Sequence, residues 1–487
     1  RRPLFVLAVV SGLVYWAGRA ASIPFVNAEE RCAEISQHMV ETGDLLVPQL
    51  DGRSHLTKPP LLHWLSWVVA RLTRQSGLPA VRAVSALAAV GVVLLSYRLG
   101  CQLYSSSVGW WAAALTLTNM GLLEHGHRGS FDALVAACVL FTLHGYLLHA
   151  EGNTRSGQAL MVCGMILGFL SKGPIGWVIP LLAMGGDAYW RVEGRAALRR
   201  LACWSPVILA ASLGWYAYLL VAVPDVRGVL QDVITVNFGI RESGVRMAFH
   251  DESFYYYAWA LPVFLSPWLI VLLPCFIGTV RADRAAWFRR NRFALVWLVT
   301  NVLFLSCIPA KGSRYLLPLV PAFGLLAGDA LCQPCPSAGA LRFNRTWLRT
   351  IGVFMVVVCM TTFPLWLWVR IGESPAMCLL TALLAAGSLS FGLLVTWSQD
   401  ATLLVATLAI WLALMALPAY QRWVPVHTLV HRRPEQAEGR RYEQRRQRLR
   451  DWFRPSQAAA SEGFERTPGK GLRPGAAVPS PRLRELS

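Results

Sequence analysis

Carboxylates and cations occur beside apolar segments in this chain, and their types could support acid–base and anion-binding chemistry. Glu29 and Glu30 open one polar stretch, Lys58 lies near its end, and Asp132 and Lys172 stand at the ends of two later apolar runs. A carboxylate can orient or deprotonate a hydroxyl, and Lys stabilises anionic oxygens. Such a pattern suggests a site that handles an anionic lipid and activates a nucleophile.

The composition around these residues decides the class of protein. Of the 487 residues, 55% are hydrophobic and 15% are charged, whereas soluble domains carry about a quarter charged residues. The chain also holds 20 Trp, 20 Phe and 13 Tyr, too many for a disordered chain that buries nothing. The composition argues against a water-soluble enzyme and predicts an all-α polytopic membrane protein.

Thirteen apolar runs approach the ~20 residues that a helix needs to cross a bilayer. They lie near 4–20, 80–99, 108–123, 131–149, 158–170, 174–189, 201–223, 257–280, 293–309, 314–332, 348–370, 375–396 and 401–420. The fifth and sixth runs are separated only by Ser171, Lys172 and Gly173. The parity of the topology depends on counting them as two.

The charges of the connecting loops predict the orientation. With the N-terminus inside, the inner loops carry 16 Lys and Arg, as cytoplasmic loops do, and the outer loops are nearly balanced. The net charge of +19 is therefore attributed to topology and to a basic tail, with no nucleic-acid partner. We expect a transmembrane domain at 1–420, outer loops 21–79 and 224–256 that form the site, and a disordered tail at 421–487.

The sequence of the first outer loop predicts several local elements. Ala28 to Thr42 is predicted to be helical, with Glu29 and Glu30 in its first turn, where they suit the helix dipole. A turn at Gly43-Asp44 follows. Leu61 to Leu72 is too short to span and is expected to be a juxtamembrane helix at the membrane interface.

Three motifs of this loop resemble those of a known family. They read Glu29-Glu30-Arg31-Cys32-Ala33-Glu34-Ile35, Gly43-Asp44-Leu45-Leu46-Val47-Pro48 and Lys58-Pro59-Pro60-Leu61. They are similar to the first outer loop of GT-C polyprenyl-phosphate-dependent glycosyltransferases, the family of lipid A aminoarabinose transferases and protein O-mannosyltransferases. That loop typically reads Asp-Glu-x-Arg-Tyr-Ala-Glu-Ile, Gly-Asp-Trp-x-Val-Pro and Glu-Lys-Pro-Pro-Leu.

Further matches to the same family follow in order, so the resemblance extends over about residues 4–332. They are Ser130-Phe131-Asp132, Leu170-Ser171-Lys172-Gly173-Pro174, His250 with Phe254-Tyr255-Tyr256 and Leu261-Pro262, and Ser306 with Lys311, Tyr315-Leu316-Leu317-Pro318 and Pro321. Each motif is weak alone, but their order between the expected spans is fairly specific.

The resemblance implies a GT-C bundle of about 13 transmembrane helices in a bacterial cytoplasmic membrane, with its site on the outer face. It implies a polyprenyl-phosphate-linked sugar donor and a glycolipid, polymer or protein of the envelope as acceptor. The residues implied to bind the donor phosphate and lipid are Arg31, Lys58, Lys172, Lys311, Arg314 and Tyr315. Those implied for the acceptor or sugar are His250, Tyr255 and Tyr256. Each cation could instead be a snorkelling side chain near headgroups.

The catalytic carboxylate is where the chain departs from the family. Ala28 aligns with the family Asp, Thr57 with the Glu before Lys-Pro-Pro, and Cys32 with the Tyr. Glu29 or Glu30 could supply the carboxylate, with Asp132 in support. Alternatively, the acceptor is already ionised and needs no base, or the protein is an inactive relative.

Two other possibilities stay open at this stage. No cofactor is implied, although His125 and His127 with Asp132 could bind a divalent metal; a solvated turn is the simpler interpretation. A secondary transporter or lipid flippase is the alternative class of protein, but such proteins often show internal repeats and charges midway along spans. Here the charges gather at span ends, which favours a surface-facing site.

Overall fold

The computed structural model describes residues 2–17, 27–50, 53–223, 253–308, 311–333, 346–347 and 350. The described chain is almost entirely helical. In chain order its elements are α1 (Arg2–Ala17), α2 (Asn27–Thr42), β1 (Gln49–Leu50), β2 (Arg53–Ser54), α3 (Leu61–Thr73), α4 (Leu78–Leu103), α5 (Ser106–Leu117), α6 (Met120–His127), α7 (Phe131–Ala150), α8 (Thr154–Lys172), α9 (Ile175–Ala188), α10 (Val192–Cys203), α11 (Ser205–Ala222), α12 (Tyr256–Phe264), α13 (Trp268–Ala282), α14 (Arg284–Cys307), a 3-10 helix (Ser313–Leu319) and α15 (Val320–Cys332).

Several of these helices can cross a membrane. Within the described ranges, α4, α7, α11 and the run Ser313–Cys332 are long and apolar enough, and the pair α12–α13, bent by 98°, makes a fifth candidate. Shorter apolar helices include α1 and α9. The prediction of an all-α polytopic membrane protein is therefore confirmed. The last three predicted spans, the tail at 421–487 and most of the loop 224–256 lie outside the described residues.

Three features of the helices were not predicted. The apolar run near 108–123 is broken into α5 and α6, because Asn119 Oδ1 accepts hydrogen bonds from the N–H groups of Gly121 (3.0 Å) and Leu122 (3.2 Å) and starts a new helix. The run near 257–280 bends between α12 and α13. A further amphipathic helix, α10, occupies a predicted inner loop.

The segment predicted to be the first outer loop, 21–79, contains the expected helices in its described part. The two predicted helices are present as α2 and α3, and Ser36 Oγ and His63 Nδ1, 3.0 Å apart, join them. Between them, β1 pairs antiparallel with β2. Trp64 Nε1 donates to the carbonyl of Leu45 (2.6 Å), so α3 is tied to the connecting segment. This loop is thus a packed substructure.

The helices α7 and α8 form an antiparallel hairpin at the centre of the described chain. They are joined by the short connection 151–153 and pack along their length, with α7 also against α4. The N-terminus of α7 and the C-terminus of α8 consequently lie at the same end of the hairpin. The 3-10 helix also packs on α7, and this end holds the candidate site.

Candidate functional site

Asp132 and Lys172 form an ion pair at this end of the hairpin. Lys172 Nζ donates to Asp132 Oδ1, and the two side chains are 9% and 10% exposed. Asp132 lies in the first turn of α7, and Lys172 is the last residue of α8. A carboxylate at a helix N-terminus and a cation at a C-terminus are both favoured by the helix dipole. The predicted Asp132 and Lys172 are therefore brought together.

The end of α8 is set by the residues after Lys172. Gly173 has a φ of 74°, a left-handed conformation that favours glycine. Its N–H donates to the carbonyl of Phe169 (2.6 Å). Pro174 follows as the N-cap of α9, at the start of a helix where a missing N–H costs nothing. The Lys-Gly-Pro sequence thus ends the helix and fixes the position of the lysine.

Tyr315 and Arg314, also predicted, lie on the other side of Lys172. Lys172 Nζ is 4.6 Å from the centroid of the Tyr315 ring, and Arg314 Cζ is 5.6 Å from the same centroid. An aromatic ring attracts a cation on its face. Two cations therefore meet at one ring at the start of the 3-10 helix.

Lys58 is electrostatically part of the same site. Burial, together with the nearby positive charges of Lys172 and Arg314, lowers the pKa of Lys58 from its ordinary 10.5 to about 8, although the charge of Asp132 acts the other way. Like charges held near one another disfavour the protonated form. We call Lys58, Lys172 and Arg314 the cation cluster; its positive charge exceeds that of the single carboxylate paired with it, so it suits an anion.

His125 contacts the other side of Asp132. Its Nδ1 lies 3.9 Å from Asp132 Oδ2 and 3.4 Å from Ser130 Oγ. By contrast, His127 Nδ1 lies 2.6 Å from the carbonyl of Leu123, and its Nε2 lies 3.0 Å from that of Val14. The three side chains thus do not converge as a ligand set, and in the described part of the chain no group of three His, Cys, Asp or Glu could hold a metal ion.

Glu29 lies in a buried ion pair with a residue that sequence analysis missed. Its carboxylate accepts from Arg82 Nε (2.8 Å) and from a second guanidinium nitrogen (3.1 Å), and both side chains are at most 3% exposed. Glu29 Oε1 also accepts from the N–H of Gly129 (2.7 Å). Arg82 belongs to no motif, but an arginine inside an apolar helix is itself a signal, since it is costly unless paired.

The neighbours of Glu29 are less constrained. Glu30 is half-buried and Arg31 is exposed. Burial raises the pKa of the Cys32 thiol to about 12, and the charges of Arg31, Glu29 and Asp132 also act on it. The thiol is therefore protonated at neutral pH, and the N-terminal part of α2 lies close enough to Asp132 to sense its charge.

Three other predicted residues lie near the start of α12 and the end of α14. Lys311 Nζ donates to the carbonyl of Ile308 (2.8 Å) at the end of α14. Tyr256 is buried against Tyr257, with ring centroids 4.9 Å apart, and Tyr255 is 70% exposed. His250 lies outside the described residues.

Tyr257 was not predicted as a site residue, but it contacts Gly312, the residue after Lys311. Its hydroxyl lies 3.2 Å from the carbonyl of Gly312 and 3.3 Å from the N–H of the same residue. This contact links the start of α12 to the segment that carries Arg314 and Tyr315. The sequence signal for it is a third tyrosine directly after the recognised pair.

Known proteins are similar to this chain in sequence and in fold. Residues 57–213 match the model of the dolichyl-phosphate-mannose-protein mannosyltransferase family. A curated relative, the undecaprenyl phosphate-alpha-4-amino-4-deoxy-L-arabinose arabinosyl transferase of Pseudomonas paraeruginosa, is 26% identical over 86% of this chain and 76% of its own. The enzyme of the same name from Pseudomonas aeruginosa strain LESB58 is 25% identical over 89% and 78%.

The fold agrees with these relatives. A crystal structure of ArnT from Cupriavidus metallidurans bound to undecaprenyl phosphate superposes with a TM-score of 0.66 and 18% identity, covering 86% of this chain and 76% of that one. An apo structure of the same protein gives 0.63 over the same coverage. Together with the ordered motifs, these similarities show that the chain resembles the GT-C glycosyltransferases, and among them the lipid A aminoarabinose transferases.

Proposed function

We propose that the chain transfers a sugar from a polyprenyl-phosphate carrier to an acceptor of the bacterial envelope. The observation that carries this proposal is the cation cluster held beside Asp132 at one end of the α7–α8 hairpin. Its charge suits a phosphate, and its position at a helix end suits the headgroup level of a lipid. The curated relatives are named for an undecaprenyl-phosphate sugar donor, which matches that chemistry.

The cluster would act on the leaving group. Cleavage of the sugar–phosphate bond leaves negative charge on a phosphate oxygen, and cations placed there stabilise that charge. Asp132 holds Lys172 in place through the ion pair. In this proposal Lys58, Lys172 and Arg314 bind the phosphate, and Tyr315 flanks two of them. Arg31 and Lys311 stay predicted lipid contacts.

Fewer contacts support the residues that we propose for binding the acceptor. Glu29 is paired with Arg82, so of the two glutamates Glu30 is the one proposed to orient the acceptor. His250, Tyr255 and Tyr256 stay proposed for the sugar or acceptor pocket. The acceptor is a glycolipid, polymer or protein of the envelope, and aminoarabinose is the sugar to test first because the relatives are named for it.

The proposed topology places this site outside the cytoplasmic membrane. Thirteen spans within 1–420, with the N-terminus inside, put the N-terminus of α7 and the C-terminus of α8 on the outer face. Described helices fall on the first ten predicted runs, and the runs near 108–123 and 257–280 are each divided into two helices. Residues 421–487 form a separate tail in this proposal.

The test is transfer by the full chain in liposomes that also contain envelope lipids. Undecaprenyl-phosphate aminoarabinose with a radiolabelled sugar is added, and labelled acceptor and released undecaprenyl phosphate are measured. We expect both products to form. Lys172→Ala should greatly reduce the amount of both, and Arg200→Ala, which changes an exposed arginine on α10, should leave it unchanged. Binding without release would instead indicate an inactive relative. Movement of intact donor across the bilayer would indicate a flippase.

A further inference from the structure

We infer that His125 is the general base that takes the proton from a neutral acceptor hydroxyl. The inference rests on the proposed glycosyl transfer and deepens it, because it names both a catalytic residue and a class of acceptor. It addresses the position where the chain lacks the carboxylate that its family resemblance implies. Ala28 stands there, so a neutral acceptor hydroxyl needs another group to accept its proton.

The arrangement of Asp132 provides the first argument. Its two carboxylate oxygens face different partners: Oδ1 accepts from Lys172 Nζ, and Oδ2 lies 3.9 Å from His125 Nδ1. A carboxylate beside one ring nitrogen holds an imidazole in the tautomer whose other nitrogen is a proton acceptor. The 3.9 Å separation is longer than a hydrogen bond, as is common for catalytic pairs before substrate is bound.

The other ring nitrogen of His125, Nε2, is left to accept a proton. With Nδ1 turned to Asp132 and Ser130, Nε2 is directed elsewhere, and within the described ranges no hydrogen bond to it is recorded. The His125 side chain is 14% exposed, so the ring is held by the protein but is still accessible. His127, two residues away, lacks this freedom because both of its nitrogens lie against carbonyl groups.

Electrostatics keep the imidazole in the form that a base requires. Burial lowers the pKa of His125 below its ordinary 6.5, and the positive charges of Lys172 and Arg128 lower it further, whereas Asp132 and Glu124 raise it. The net shift is downward, so the ring is neutral at pH 7. The surrounding charges come from α6, α7, α8 and the 128–130 turn.

The other nearby groups fit the role less well. Glu29 accepts three hydrogen bonds, from Arg82 and from Gly129, and the Cys32 thiol is kept protonated by burial. Glu30 is half-buried on α2 and can orient an acceptor without taking its proton. His125 is the group that combines contact with Asp132 and an accessible ring nitrogen.

The acceptor O–H bond breaks and its proton moves to His125 Nε2, while the oxygen forms a bond to the anomeric carbon. The bond from that carbon to the phosphate oxygen breaks, and polyprenyl phosphate leaves with the electron pair. Asp132 then stabilises the imidazolium, and the cation cluster stabilises the phosphate. An acceptor that is already ionised would need none of this.

The experiment compares His125→Asn with Glu30→Gln and with the matched control His149→Asn, which changes a buried histidine at the opposite end of α7. Full chain in liposomes with envelope lipids is given radiolabelled undecaprenyl-phosphate aminoarabinose. We expect His125→Asn to lower kcat by roughly 10²–10⁴-fold and to change undecaprenyl phosphate affinity less than about twofold. His149→Asn should keep kcat, and Glu30→Gln should act mainly on the KM for acceptor.

Two further readouts separate catalysis from a structural role. The wild-type kcat/KM should decrease as the pH is lowered, with an apparent pKa below 6.5. The residual activity of His125→Asn should not show this decrease at acid pH. Added imidazole should restore part of the rate of His125→Gly and none in Lys172→Ala. If the wild-type pH profile lacks the decrease at acid pH, or if His125→Asn keeps full activity, the role of His125 is wrong but the proposed function still stands. A wild-type protein that transfers no sugar overturns the proposed function as well.

Discussion

Glu29 and Arg82 form a buried bidentate ion pair between α2 and α4, with an Nε–Oε1 distance of 2.8 Å. Glu29 Oε1 also accepts from the N–H of Gly129, and Ser85 Oγ bonds both the N–H and the carbonyl of Ser130 (3.0 and 3.1 Å). These contacts fix the turn that leads into Asp132. Glu29, one of the three carboxylates predicted to be catalytic, thus also connects α2 and α4 to this turn.

Removing one partner of this pair should destabilise the protein strongly. Arg82→Met leaves the Glu29 carboxylate buried without its cation, and such a loss typically costs about 3–5 kcal/mol. The free energy of unfolding, measured by denaturant titration in detergent micelles, should fall by that amount. The double variant with Glu29→Gln should recover much of it.

A second ion pair in the same region provides the matched control. Arg128 and Glu124 are 3.2 Å apart, and Glu124 is 44% exposed. Exposed pairs contribute less than about 1 kcal/mol, so Glu124→Gln should have little effect on unfolding. Equal losses for Arg82→Met and Glu124→Gln would contradict the assignment of a stabilising buried pair.

Sequence patterns predicted the parts of this structure that depend on local chemistry. Long apolar runs must hydrogen-bond internally in a bilayer and therefore form helices. The Lys172-Gly173-Pro174 sequence marks a helix end, and the position of Asp132 at the start of a span marks a costly charge that needs a partner. The first outer loop was likewise predicted, with α2 and α3 starting and ending within one residue of the expected positions.

The features that the sequence patterns did not predict depend on contacts between residues that are far apart in the sequence. Arg82 was counted inside an apolar run, and its pairing with Glu29 joins residues 53 positions apart. The break before α6 follows from Asn119, whose side-chain amide also donates to the carbonyl of Phe264 (2.9 Å). A single sequence contains no information on such partners.

Close packing at Gly176 should be required to hold Lys172 in place. A Cβ at Gly176 would lie 2.1 Å from the carbonyl oxygen of Gly168 on α8, so Gly176→Ala must push α8 and α9 apart. We expect it to cost about 1–3 kcal/mol of unfolding free energy and to reduce transfer. Gly185→Ala on the same helix, where a Cβ meets nothing within 4 Å, is the control. Equal behaviour of the two variants would show that this contact is unimportant.

Lys172→Ala should weaken the binding of polyprenyl phosphate. Hydrogen bonds to charged groups contribute about 1.5–3 kcal/mol, so we expect the Kd for undecaprenyl phosphate to rise by roughly 10- to 100-fold. Lys172→Arg should retain part of the affinity because it keeps the charge. The measurement is direct binding in detergent, with Arg200→Ala as the control. Unchanged affinity of Lys172→Ala would remove Lys172 from the phosphate site.

Lys58 should make the binding of undecaprenyl phosphate sensitive to alkaline pH. Its lowered pKa of about 8 means that the side chain is cationic below pH 8 and neutral above it, whereas an ordinary lysine stays charged to about pH 10.4. Affinity should be highest below pH 8 and should fall by up to ~10-fold per pH unit above it, because binding then requires proton uptake. Lys58→Arg should flatten this profile, since guanidinium stays charged throughout. If wild type and Lys58→Arg lose affinity in parallel between pH 7 and pH 10, Lys58 does not contact the phosphate.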